Sequence, residues 1–219
     1  MPPKQYGGHE TRPHTNDKPK TNKTMSAKGS ITTADYLSYN DYKRLLANLE
    51  KDKKYRWCVY CTISFCLGLR ISDILKLKWE DIINKNFIVI TEKKTGKTKR
   101  IDISESAANR LKSFYSKLGH SALTGYIMAN ETGIKPMSSQ YVNRILKTWI
   151  KKYSLPINNF SSHTFRKTFG RYVYESNGKT EESLILLNRI FRHSSIRNTI
   201  IYIGLTDEEI CRVFKAIEI

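Results

Sequence analysis

Apolar residues recur at helical spacing along most of this chain, and one short segment breaks the pattern. The first amphipathic stretch starts after Ser38, which is placed to cap a helix. The exception is FIVITEKKTGKTKRIDI, in which residues 87–91 and 100–103 have strand character around a turn at Gly96. The sequence therefore predicts a mostly α fold with a small antiparallel β-sheet.

Further helices are predicted on both sides of this hairpin, with glycines placed to stop several of them. They cover Arg56–Leu67, a short stretch after Ser72 through Leu77, Glu105–Leu118, Ser139–Tyr153, His163–Ser176 and Glu181–Phe191. Residues 195–205 are expected to form a short helix or a turn. Thr206 is expected to cap a last amphipathic helix over residues 206–219.

The charge of the chain favours a polyanionic partner. Lys and Arg number 38 against 20 Asp and Glu, which gives a net charge of +18. Residues 1–30 carry six basic and two acidic side chains, so they contribute +4, and their Pro, Gly and Thr content predicts a disordered arm. Most of the excess therefore belongs to residues 31–219, which we expect to form one domain that binds nucleic acid.

Neither a membrane span nor a metal site is indicated. No apolar run approaches the roughly 18 residues of a spanning helix, which favours a soluble intracellular protein. Cys58 and Cys61 have CxxC spacing, but they and Cys66 lie in an apolar helical run. Buried core thiols are a better interpretation than metal or redox chemistry, and no cofactor is expected.

Two basic motifs precede the middle of the chain. LGLRISDI places Arg70 at the start of a short helix with Asp73 three residues on, and TEKKTGKT forms the tip of the hairpin. Lys94 directly precedes Thr-Gly in this segment, and Lys93 and Lys97 lie close to it.

Two further motifs follow in the C-terminal half. SSHTFRKTFGRYVYE carries His163 and Arg166 at the start of an amphipathic helix, where backbone N–H groups favour an anion. FRHSSIRNTIIYIG places His193 nine residues before Tyr202. Each motif alone is weak, and their order along the chain is the informative feature.

Together the four motifs resemble the catalytic domain of the tyrosine recombinase (phage integrase) family, over roughly Leu37–Ile217. This resemblance implies the fold of that domain and a DNA strand-cutting and rejoining reaction. The family usually has Leu-Gly before the last histidine, whereas this chain has Phe191 and Arg192, so we expect a changed local turn there.

The resemblance also assigns roles to the six positions. Arg70 and Arg166 would clamp the scissile phosphate, and Asp73 would support Arg70 or its loop. His163 would accept the tyrosyl proton or hydrogen-bond a phosphate oxygen, and Tyr202 would form a 3′-phosphotyrosyl link without metal or ATP.

The two remaining roles are those of proton donors. Lys94 would protonate the leaving 5′ oxygen, and His193 would donate to a non-bridging oxygen. Among the 13 tyrosines, Tyr60, Tyr172 and Tyr174 have the patterns of core or packing residues, and only Tyr202 has the spacing to His193.

Several alternatives stay open at this stage. Typical family members carry a core-binding domain before the catalytic one, so the chain is either a catalytic domain acting alone or a fragment of a larger integrase. A type IB topoisomerase and a catalytically silent DNA-binding accessory protein are the competing functions. The expected partners are double-stranded DNA and further copies of the chain, as a dimer or tetramer on DNA.

Location and the role of the last helix follow from the same resemblance. A cytoplasmic, nucleoid-associated protein is expected if the source is prokaryotic or viral. The apolar face of the helix over residues 206–219 packs either on a neighbouring protomer, as in family members, or on its own domain.

Overall fold

The computed structural model describes residues 34–91, 96, 98–119 and 122–205. Within these ranges the chain forms helices around one two-stranded sheet. In chain order the elements are α1 (Tyr39–Lys51), α2 (Tyr55–Cys66), α3 (Ile71–Ile74), a 3-10 turn (Trp79–Asp81), β1 (Phe87–Thr91), β2 (Thr98–Asp102), α4 (Glu105–Lys117), α5 (Ser139–Lys152), α6 (Ser162–Ser176), α7 (Glu181–Phe191) and α8 (Ile196–Ile203). The mostly α fold with a small antiparallel sheet is confirmed.

Helix α2 lies at the centre of the main core, where it packs against α1, α4 and α6. Every residue from Cys58 to Phe65 on this helix is buried. Cys58 and Cys61 are both fully buried, and burial raises the pKa of the Cys58 thiol to about 12. The predicted core thiols are therefore confirmed at these two positions, whereas Cys66, at the end of the helix, is only partly buried.

The turn after α2 brings the first arginine motif next to α6. Gly68 has φ +55°, and a Cβ on it would lie 2.8 Å from the Phe169 ring, so only glycine fits both the conformation and the space. Helix α3 then spans Ile71–Ile74. The predicted helix through Leu77 was too long, since the apolar spacing there reflects buried turn residues rather than continued helix.

The two strands pair in antiparallel register from Phe87 opposite Asp102 to Thr91 opposite Thr98. Ile88 and Ile90 point into the core, as period-two alternation requires. Strand β2 begins two residues before the predicted Arg100, because ladder pairing with β1 extends into the polar part of the segment. The tip of the hairpin, residues 92–95, lies outside the described residues, as does residue 97.

A second, smaller core joins α6, α7 and α8. It is built from Leu187, Phe191 and Ile203, all of them fully buried. Gly170 on α6 allows this close contact, because a Cβ there would lie 2.6 Å from Ile203 Cγ2. Residues 196–203 form a helix rather than a turn, capped by Ser195, and this helix carries Tyr202.

The remaining expectations on the chain ends fall outside the described residues. The basic arm over residues 1–30 and the last amphipathic helix over residues 206–219 both lie there. In the described part of the chain, no helix combines the length and the apolar character needed to cross a bilayer.

Candidate active site

Two arginines that are far apart in sequence share one backbone carbonyl. Arg70 Nη2 donates to the carbonyl oxygen of Phe191 over 3.0 Å, and Arg166 Nη2 donates to the same oxygen over 3.2 Å. Arg166 Nη1 also donates to the carbonyl of Gly68. Phe191 is the last residue of α7, and the partial negative charge of a helix C-terminus favours cations. The carbonyl therefore offsets the repulsion between two adjacent guanidinium groups.

The side chain of Phe191 also contacts three side chains of the site. Its ring is fully buried and lies 4.4 Å below the guanidinium carbon of Arg166. On its other sides the ring meets His193 and Tyr202, with centroid distances of 5.3 Å to each. One residue thus fixes both arginines through its carbonyl and contacts the histidine and the tyrosine through its ring.

Helix α7 ends in a left-handed residue that is not glycine. Arg192 has φ +53° and ψ +50°, and this conformation turns the chain so that His193 follows directly. The usual glycine of the family motif adopts such angles without steric cost, whereas an L-residue with a Cβ does not. Arg192 therefore holds a conformation that its own preferences disfavour.

His163 and Tyr202 contact each other within one chain. The Nδ1 atom of His163 lies 3.2 Å from the Tyr202 hydroxyl oxygen. His163 occupies the first turn of α6, where its backbone N–H donates to Ser161 Oγ. The imidazole is partly open to solvent. Its pKa is nevertheless lowered, mainly because the surrounding protein removes water from it and also because of the positive charges of Arg166, Lys167 and Arg70. A neutral ring that can accept a proton is therefore favoured.

The Tyr202 phenol has the opposite tendency. Burial raises the pKa of Tyr202 to about 12, although the charges of Arg166 and Arg70 offset part of this rise. The phenol is therefore protonated at neutral pH and needs a base to become nucleophilic. His163 is the base within hydrogen-bonding distance.

His193 is held through a buried hydroxyl. Its Nδ1 lies 3.0 Å from Thr199 Oγ1, and the side-chain amide of Asn188 donates to that same oxygen over 3.2 Å. The backbone N–H of His193 donates to the carbonyl of Asn188. The His193 ring lies 5.0 Å from the ring of Tyr202, so these contacts place the histidine beside the candidate nucleophile.

The supporting carboxylate lies under the first arginine motif. Asp73 is buried, and its backbone N–H donates to the carbonyl of Arg70 over 2.9 Å. Its carboxylate accepts a hydrogen bond from Ser72 Oγ over 3.3 Å. Asp73 is thus part of the turn that presents Arg70. Lys94, the remaining predicted site residue, lies outside the described residues.

Sequence reasoning missed a buried lysine in this site. Lys167 follows Arg166 directly and is only 5% exposed. Its ammonium lies 5.6 Å from the centre of the Tyr202 ring, and burial lowers its pKa. Its position four residues after His163 on α6 was the available signal, since such residues share a helix face. Among the described residues, no group of His, Cys, Asp and Glu could hold a metal ion.

Comparison with known proteins identifies the family of the chain. The family model described as the phage integrase family matches residues 35–209. A probable integrase/recombinase, YoeC, of Bacillus subtilis (strain 168) is 33% identical over 148 residues, covering 68% of this chain and 77% of the relative. The tyrosine recombinase XerC of Caldanaerobacter subterraneus subsp. tengcongensis is 23% identical, covering 87% of this chain and 53% of the relative.

Solved structures share the fold. The XerA recombinase superposes with a TM-score of 0.64 at 20% identity, covering 87% of this chain and 66% of that one. A λ integrase dimer bound to a COC′ core site gives a TM-score of 0.59 at 21% identity, covering 83% of this chain and 51% of that one. The chain thus spans only about half to three quarters of these relatives. With its motifs, its fold and the match over most of its length in agreement, the chain belongs to the phage integrase family.

Proposed function

We propose that this protein is a site-specific DNA recombinase that cuts and rejoins strands through a 3′-phosphotyrosyl intermediate. The observation that carries the proposal is the convergence of three separate motifs on one point. Arg70, His163, Arg166, His193 and Tyr202 come from the start of α3, from α6 and from the α7–α8 segment. The hydrogen bond between His163 and Tyr202 supplies a base for a nucleophile, and the paired arginines supply a place for a phosphate.

The first step is proton transfer from the Tyr202 hydroxyl to Nδ1 of His163. The phenolate oxygen attacks the phosphorus, the new O–P bond forms, and the bond from phosphorus to the 5′ oxygen breaks. The phosphodiester energy is kept in the phosphotyrosyl link, because one ester replaces another. The 5′ hydroxyl of a second strand can then reverse the reaction, so strand exchange needs no ATP.

Fixed positive charge stabilises the transition state. The guanidinium groups of Arg70 and Arg166 meet at the Phe191 carbonyl, and the geometry suits a phosphate that takes hydrogen bonds from both. Such a pair supplies the charge that a metal ion supplies in other phosphoryl-transfer sites. The arginines are already assembled by the fold, so little reorganisation is needed when DNA binds.

Two donors complete the proposed chemistry. His193 donates to a non-bridging oxygen of the phosphate. Lys94, at the tip of the hairpin, gives a proton to the departing 5′ oxygen and becomes neutral in that step. The described part of the hairpin is compatible with this role, since β1 and β2 are paired as far as Thr91 and Thr98, which flank the segment that contains Lys94.

The partners follow from charge and from relatives. A net charge of +18 favours double-stranded DNA, and binding should weaken steeply with salt. A solved λ integrase is described as a dimer bound to a core site, and XerH as bound to a palindromic difH substrate. We infer that this chain likewise acts as a dimer or tetramer on DNA. If the source is prokaryotic or viral, its site of action would be the nucleoid in the cytoplasm of the host cell.

Covalent trapping on nicked suicide DNA tests the proposal. Duplexes are first selected for binding from a random-sequence pool, nicked so that the cleaved fragment diffuses away, and incubated with protein and chelator. The parent should give a protein–DNA adduct on a denaturing gel, and Tyr202→Phe should give none. Tyr172→Phe is the matched control and should keep the adduct, since that side chain packs on Tyr39 at the surface.

Either of two results would overturn the proposal. One is a parent that binds DNA tightly but forms no adduct on any selected duplex. The other is an adduct that survives Tyr202→Phe. A parent that relaxes supercoiled plasmid but never joins strands from two sites would instead identify a topoisomerase.

A further inference from the structure

The hydroxyl of Thr199 sits between two side chains in a fully buried position. Its oxygen is 3.2 Å from the amide nitrogen of Asn188 and 3.0 Å from Nδ1 of His193. Thr199 has no exposed surface, so solvent cannot replace either contact. These three residues lie on α7, at the α7–α8 junction and on α8, and they therefore also tie the tyrosine-bearing helix to its neighbour.

The direction of each hydrogen bond follows from counting donors. The amide nitrogen of Asn188 carries hydrogens and no acceptor, so in this contact Thr199 Oγ1 is the acceptor. That oxygen has a second lone pair and could accept again, but the hydroxyl is fully buried, so its own hydrogen also needs an acceptor. Among the contacts of Thr199 Oγ1 in the described part of the chain, Nδ1 of His193 is the atom that can accept it. Nδ1 therefore accepts, and in the neutral ring the proton must be on Nε2.

We propose that Asn188 and Thr199 are positioning residues that fix the tautomer of His193, so that the neutral imidazole presents an N–H donor from Nε2 to the reacting phosphate. This inference rests on the proposed function, because it concerns the donor that His193 supplies to a non-bridging oxygen. We call the two hydrogen bonds from Asn188 to Thr199 and from Thr199 to His193 the relay. Without it, the neutral ring is free to take the other tautomer, in which Nε2 presents a lone pair to an anionic phosphate oxygen. The fold removes that unproductive state before DNA binds.

Nuclear magnetic resonance reads the tautomer without any reaction. Protein with ¹⁵N-labelled histidine is measured at alkaline pH, and long-range proton–nitrogen couplings show which ring nitrogen carries hydrogen. The His193 signals are assigned from their loss in His193→Gln. The parent and Thr199→Ser should both show the proton on Nε2. A parent ring protonated on Nδ1 would overturn the inference.

Reversing the relay provides the sharper variant. Asn188→Asp replaces the donating amide by a carboxylate of nearly the same shape that only accepts. The hydroxyl hydrogen of Thr199 should then turn to the carboxylate, and Thr199 Oγ1 should accept from Nδ1–H. The expected result is a neutral His193 ring with its proton on Nδ1. An unchanged tautomer in this variant would contradict the relay.

Cleavage rates on the suicide substrate connect the tautomer to function. Asn188→Asp should slow adduct formation by roughly 10- to 100-fold at alkaline pH, by analogy with the loss of hydrogen bonds that orient metal-ligating histidines. The loss should shrink at a pH low enough to protonate both ring nitrogens, because Nε2–H is then restored. A purely structural defect would slow the reaction equally at every pH, and that outcome would sink the proposal.

Thr199→Val, which removes the hydroxyl at constant shape, should slow cleavage roughly 10-fold. Thr62→Val is the matched control: it removes another buried hydroxyl, one bonded to the Cys58 carbonyl, and should leave the rate within about twofold. In a His193→Gln background Thr199→Val should have no further effect, and an additive loss would refute action through His193. If the parent forms no adduct at all, the proposed function fails while the tautomer measurement still decides this inference.

Discussion

Replacing Gly170 by alanine tests how closely α8 must be seated on α6 for the tyrosine to react. The added Cβ would lie 2.6 Å from Ile203 Cγ2 and 3.1 Å from the ring of Phe191. Optimal carbon–carbon contact is about 3.5–4.0 Å, so Ile203 has to retreat by roughly 1 Å. Because Tyr202 directly precedes Ile203 on the same helix, the nucleophile should move with it.

The expected costs follow from these distances. Overpacking of this size typically costs about 1–3 kcal/mol, and alanine recovers about 1 kcal/mol over glycine in a helix interior. The free energy of unfolding should therefore fall by only about 0–2 kcal/mol, and the protein should stay folded. A displacement near 1 Å at a reacting group costs on the order of 100-fold in rate. Gly170→Ala should thus affect cleavage far more than stability.

A second substitution in the same contact provides the control. Ile203→Leu removes the Cγ2 methyl that meets the new Cβ, whereas Ile203→Val keeps a methyl at that position. In the Gly170→Ala background, Leu should restore most of the cleavage rate and Val should not. Urea denaturation and single-turnover adduct formation on the suicide substrate measure the two quantities. Cleavage within about twofold of the parent in Gly170→Ala, or equal rescue by Leu and Val, would refute the packing argument.

Three further outcomes follow from the same coordinates. The free energy of unfolding, measured in urea, should be about 0.5–1 kcal/mol higher for Arg192→Gly than for Arg192→Ala, because only glycine adopts the left-handed backbone of this position without strain. Equal stabilities of the two variants would contradict the assigned strain. Lys167→Met removes a positive charge that lowers the pKa of His163, so that pKa should rise in an NMR titration, and the acid-side loss of cleavage should move to higher pH. An unchanged His163 titration would exclude the coupling. Because His163 contacts Tyr202 within one chain, a mixture of Arg70→Ala and Tyr202→Phe proteins should form no adduct, and an adduct on the Arg70→Ala chain would show that the tyrosine acts in a partner's site.

The local structure was largely readable from sequence, because it depends on periodicity and end signals. The bounds predicted for α7 match the structure, and those of α4, α5 and α6 differ by one residue at one end. The short stretch after Ser72 was harder, since buried turn residues mimic helical spacing over a single turn. Asp73 and Ile74 of its four-residue helix are buried, and so are Leu75 and Leu77 in the turn that follows.

The sequence by itself determined which chemical groups the protein has and the order in which they occur. It placed both arginines, both histidines and Tyr202 in recognisable motifs, and it marked Phe191 and Arg192 as unusual. A side chain with distinctive chemistry can be recognised in the sequence by its residue type. A backbone carbonyl, which every residue has, cannot be recognised in this way.

Only the tertiary structure decided how these groups act on one another. The contact from Arg70 to the Phe191 carbonyl joins residues 121 positions apart, and no local pattern encodes such a pair. The buried Lys167 and the hydroxyl of Thr199 gain their importance in the same way, since a common residue type becomes influential only where burial excludes water and leaves it few partners. Which ring nitrogen of His193 carries the proton therefore depends on the packing of α7 against α8, and the sequence of either helix alone does not reveal it.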